Sequence, residues 1–127
     1  MDKTELQERL TSFAVRIVKM VDAMPSSISG LAISRQIVRS GTSPSANYRA
    51  ACIAKSDKDF LNKLKMVEEE LDETRHWLNI IMRCELLKPS RIEPLHQEST
   101  ELLSIITKSI ITTKTRMKSE EIEKSRK

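Results

Sequence analysis

Two Glu-x-x-His tetrapeptides, Glu73-Thr74-Arg75-His76 and Glu93-Pro94-Leu95-His96, have the types and spacing that could do chemistry. On helices, that pattern supplies two inward ligands from each of two elements, the arrangement used by di-iron carboxylate bundles. Such a centre also needs one inward glutamate from each of two further helices at the same level. Between Gly30 and Ala54 there is no acidic residue at all. The two tetrapeptides also fall at different heights on their helices, about 10 Å apart along a bundle axis at ~1.5 Å per residue. A di-metal enzyme is therefore the remote reading, and the sequence implies no metal and no cofactor. Ser40-Gly41 lacks the preceding strand that an acyl-transfer elbow needs. Two isolated glycines cannot cradle a phosphate. Cys52 and Cys84 belong to no CxxC pair, and neither has a histidine close in sequence. The expectation is a protein that is not an enzyme.

Cations are the other chemistry on offer. Arg35, Arg39 and Arg49 share one segment, and Lys55, Lys58, Lys63 and Lys65 follow it. The chain carries 22 basic and 18 acidic residues, net +4. Seven of the basic and three of the acidic residues lie from Lys108 onward, so the first 107 residues balance. Long-range attraction to phosphate is then expected from the end of the chain, through Lys114, Arg116 and Lys118, or from the Arg35–Arg39–Arg49 segment. Aromatic residues are 3% of the chain, so base stacking contributes little, and binding to RNA or DNA would be led by phosphate and sensitive to salt. The competing reading is a solvated, frayed helix end with ordinary surface lysines and arginines.

The elements that must position these residues are legible. Phe60, Leu64, Val67, Leu71, Thr74, Leu78 and Ile81 follow at steps of four and three, one seam of a helix broken only by Thr74. Leu6, Leu10, Phe13, Ile17, Met20 and Met24 repeat the spacing, and Pro25 ends that helix. A second helical segment begins near Ser27 or Ser29. It either restarts at Ser43 as a cap with Pro44 in first position, or runs on through Pro44 as a kinked helix. Lys55-Ser56-Asp57 leads into the central helix, which is expected to reach about Leu87. After Lys88-Pro89-Ser90, a fourth helix carries Leu95, Leu102, Leu103, Ile105, Ile106, Ile110 and Ile111. Its apolar face is wider than one seam, which places Leu103, Ile106 and Ile110 at an expected oligomer interface. The prediction is all-α: an antiparallel up-down-up-down four-helix bundle over residues 1–117, with a charged tail at 118–127.

No apolar run can span a membrane, and the amino terminus does not read as an export signal. Reduced thiols and a cytoplasmic location are expected. A polar network is expected as well. Arg39, Ser43 and Asn47 lie four residues apart, and Glu73, flanked by Met66, Glu70 and Trp77, needs Arg39 or Asn47 as a partner.

Those residues also carry a resemblance. Gln36-Ile37-x-Arg39, Ser43, Asn47, Phe60-Leu61 and Glu73 resemble the four-helix-bundle family encoded in 23S rRNA intervening sequences, over about residues 10 to 110. Where that family usually writes Ser-Ile-Pro-x-Asn and then Glu-Gly, this chain has Ser43-Pro44-Ser45-Ala46-Asn47 and Ala50-Ala51. The run Ala46-Asn47-Tyr48-Arg49-Ala50-Ala51, with Lys55-Ser56 and Asp59-Phe60 behind it, resembles one branch. The resemblance implies the bundle fold and a homo-oligomer, often a homopentamer. Relatives that serve as accessory subunits of diversity-generating retroelements bind a reverse transcriptase and nucleic acid. The expected work is therefore association with RNA, DNA or a nucleoprotein, and the alternative is an assembly subunit that binds no nucleic acid.

Overall fold

The computed structural model describes residues 1–126; Lys127, the last residue of the expected tail, lies outside the described residues. Four helices account for nearly all of them: α1 (Lys3–Val21), α2 (Ile28–Cys52), α3 (Asp57–Arg83) and α4 (Pro89–Ser125). Each packs beside its neighbour in sequence, and α1 also meets α4, which closes an up-down-up-down bundle. No helix among the described residues is long and apolar enough to cross a membrane.

The caps follow from local chemistry. The side chains of Asp2, Ser27 and Ser56 accept the backbone N–H groups of Glu5, Gly30 and Asp59, each satisfying a donor that has no intrahelical partner. The central helix stops at Arg83, short of the expected Leu87. Glu85 takes a left-handed conformation (φ 52), and Leu86 N–H reaches back to the Ile81 carbonyl at 3.1 Å. That is a Schellman ending, with Leu86 folded onto the core as its apolar contact.

The two seams read from spacing form the core. Leu64, Val67, Leu71, Thr74, Leu78 and Ile81 of α3 are fully buried against Leu10, Phe13 and Ile17 of α1 and Ile92, Leu102 and Ile106 of α4. The second segment is continuous: no cap forms at Ser43, and α2 passes through Pro44. Proline removes the N–H that would bond the Ser40 carbonyl. Side-chain bonds support the backbone on either side, from Thr42 Oγ1 to the Val38 carbonyl at 2.6 Å and from Ser45 Oγ to the Thr42 carbonyl at 2.9 Å. The small residues here allow close packing. A Cβ on Gly41 would stand 2.8 Å from Ile17 Cγ2, so α1 and α2 approach as they do because this position has none.

α4 has 37 residues against 27 in α3, about 15 Å more at ~1.5 Å per residue. Thr113 is its last buried residue and Met117 its last contact with the core. From Lys118 to Ser125 the chain expected as a tail continues α4 as an exposed helix.

Candidate functional site

The fold sorts the cations into committed and free ones. Arg39 of α2 donates to both carboxylate oxygens of Glu70 (2.9 and 3.1 Å) and also to Glu73. Arg116 of α4 holds Asp57 at 2.7 Å. That bond keeps the Asp57 carboxyl below its usual range and raises the Arg116 guanidinium. Arg9 donates to Glu98 (2.6 and 2.8 Å) and Glu101 (2.8 Å), tying α1 to α4 and holding the Glu98 carboxyl below its usual range. Arg35 and Arg49 stand exposed on the outer face of α2, and Lys114 and Lys118 stand exposed where α4 leaves the bundle. Among the described residues these last four form no ion pair.

Of the expected polar network, the link from Glu73 to Arg39 is present, and Trp77 Nε1 adds a bond to Glu73 at 3.2 Å. Ser43 and Asn47 take no part in it. The link is also half-exposed rather than buried, because Arg39 reaches across the outside of the α2–α3 contact. The buried polar contact lies one layer inward, where the hydroxyls of Thr74 and Ser40 meet at 2.9 Å, both residues fully buried. The break in the α3 seam at Thr74 was its only signal in the sequence.

Of Leu103, Ile106 and Ile110, expected between subunits, the two isoleucines require correction. Ile106 and Ile110 are buried in the bundle's own core, and Leu103 is half-buried at its edge. The width of the α4 face arises because α4 packs against α1 and α3 at once. Ile111, one residue on, is the exposed member of the set.

His76 and His96 do come together, lining one shallow cleft of about 280 Å³ with Asp72, Arg75 and Asn79. The carboxylates of the two tetrapeptides do not join them. Glu73 is engaged with α2, and Glu93 is exposed. Among the described residues no three His, Cys, Asp or Glu side chains are grouped to hold a metal ion. Cys52 is half-buried near the end of α2 and Cys84 is exposed after α3; both are free thiols.

A cleft of about 410 Å³ was not legible in the sequence. It opens at the end of the bundle where α4 departs, with Lys3, Tyr48, Phe60, Lys108 and Arg116 on its walls. These residues come from all four helices and share no spacing.

Compared with protein families, residues 2–108 match the model described as 23S rRNA-intervening sequence protein. The chain belongs to this family. A crystal structure of a protein with unknown function, from the S23 ribosomal protein family of Bacteroides thetaiotaomicron, superposes with a TM-score of 0.78. The two are 35% identical, over 83% of this chain and 97% of that one. No curated protein matches the chain. Within this chain, several of the residues that carry the resemblance gather at the α2–α3 contact. Ile37 and Leu61 are buried, and Arg39 and Glu73 bridge the two helices outside them. The family match ends at residue 108, so the projecting end of α4 lies beyond it.

Proposed function

We propose that this protein works by association and not by catalysis: it binds RNA or DNA through phosphate contacts, as one subunit of a homo-oligomer. The observation that carries this reading is the set of uncommitted cations, Arg35 and Arg49 on α2 and Lys114 and Lys118 on α4, left by a fold that pairs Arg9, Arg39 and Arg116 internally. Exposed cations without carboxylate partners are what phosphate contacts use. The family description names 23S rRNA, and that of the similar crystal structure names a ribosomal protein family, which favours a nucleic-acid or nucleoprotein partner. A reverse transcriptase is one such partner in the relatives noted above. Self-association, with a pentamer as the expected form, would use exposed apolar side chains such as Ile111 and Ile122 along α4.

Filter binding with a structured RNA and with duplex DNA tests the proposal and locates the contacts. Lys114→Gln with Lys118→Gln, or Arg35→Gln with Arg49→Gln, should weaken binding without lowering thermal stability, since all four side chains are exposed. Arg39→Gln should weaken it less, because Arg39 is already held by two carboxylates. Absence of binding to either nucleic acid at low salt would leave an assembly subunit alone.

A further inference from the structure

The cleft at the end of the bundle has a composition that the surface cations do not share. Its walls are apolar at Leu6, Phe60 and Ile105, and cationic at Lys3, Lys108 and Arg116. A second cleft of about 320 Å³ shares Lys3, Phe60 and Arg116 with it and adds Lys55. The two therefore run together as one trough, apolar at one end and polar at the other.

Several of its polar groups are unspent. Lys3 and Lys108 form no ion pair among the described residues, and the Lys3 ammonium lies over the Phe60 ring, 4.8 Å from its centre. Tyr48 is 3% exposed. The polar group beside it is the Cys52 thiol, a weak partner. Burial raises the phenol above its ordinary range, so it remains a donor at neutral pH. Of the nearby carboxylates, Asp2 caps α1 and Asp57 is held by Arg116, while Glu120 stands beside Arg116 at the polar end.

We propose that this trough binds a phosphate group carried on a planar apolar group, that is, a single nucleotide. The base lies against Leu6 and Ile105, beside the Phe60 ring that Lys3 covers, and Lys3, Lys108 and the Tyr48 hydroxyl receive the phosphate. A cleft of this size falls within the range that holds small ligands. Taken with the nucleic-acid reading above, on which this extension rests, the nucleotide is an unpaired one at a bulge or free end of a strand. A free mononucleotide offers the same chemistry.

Calorimetric titration of the full chain with adenosine 5′-monophosphate, adenosine and inorganic phosphate tests the site directly. Fluorescence anisotropy with a labelled single-stranded RNA tests its use on a strand. The mononucleotide should bind at least about tenfold tighter than adenosine or phosphate alone. Lys108→Gln and Tyr48→Phe should each weaken it about tenfold, the worth of one hydrogen bond or contact to a charged group. Both variants keep the fold, since Lys108 is exposed and phenylalanine retains the Tyr48 ring. Mononucleotide binding that both variants leave intact, or none at millimolar concentration, overturns the assignment. Phosphate binding as tightly as the mononucleotide also overturns it. If RNA is still bound in either of these cases, the nucleic-acid reading stands without this cleft. If the mononucleotide binds as described and RNA does not, the cleft stands and the nucleic-acid reading falls.

Discussion

Replacing Thr74 by valine isolates the one fully buried side-chain contact between polar groups of two helices among the described residues. The Thr74 hydroxyl has a single proton, and it lies 2.9 Å from Ser40 Oγ and 2.7 Å from the Glu70 carbonyl. Valine fills nearly the same volume, so no cavity opens, and the cost is electrostatic alone. Ser40 would be left with only a 3.5 Å contact to the Ile37 carbonyl, close to an unsatisfied buried hydroxyl. That costs about 1–3 kcal/mol. Ser40→Ala should cost less, under about 1 kcal/mol, because Thr74 keeps its bond to Glu70. The double variant Ser40→Ala/Thr74→Val leaves no polar group behind and should be more stable than Thr74→Val alone. Urea unfolding followed by circular dichroism measures all four corners of the cycle, and the coupling should be about 1–2 kcal/mol. A double variant as unstable as the sum of the singles would refute the reasoning, since the two hydroxyls would then act independently.

Ile106→Ala should destabilise the chain by about 2–5 kcal/mol in the same assay, because the residue is fully buried in the core. Ile111→Ala, at an exposed position, should change stability by under about 0.5 kcal/mol. Glu98→Gln should cost about 0.5–1 kcal/mol at neutral pH, a surface-pair value, since Glu101 remains for Arg9. Because the folded carboxyl of Glu98 lies below the ordinary 4.5, its contribution is fully present above that value. It is lost as pH falls through the lower folded value, so the stability gap between wild type and variant should close in acid. A gap unchanged down to pH 3 would contradict the pairing.

The fold was legible because the apolar seams of α1 and α3 repeat over about four and six turns, long enough for spacing alone to fix the buried face. What local reading missed lay in contacts between helices. Whether α2 breaks at Pro44 depends on the fit of Gly41 against Ile17 and of Ser40 against Thr74, and neither shows in α2 itself. The same gap explains Ile106 and Ile110. A face buried against two neighbours of one chain has the same pattern as a face buried against another chain. For the candidate site, the pairing of Glu73 with Arg39 could be read from types and helical spacing. The trough of Lys3, Tyr48, Phe60 and Lys108 could not, since its members lie far apart in sequence and meet only when four helices close.

The central claim, phosphate-led binding of nucleic acid, is tested most directly by the salt dependence of RNA affinity for the full chain. Each single-strand phosphate neutralised contributes roughly 0.7 to the log–log slope. If Arg35, Arg49, Lys114 and Lys118 each neutralise one, a slope near −3 is expected, with tight binding at low salt that fades towards physiological ionic strength. Affinity that does not change with salt, or no binding at the lowest salt, would contradict the account.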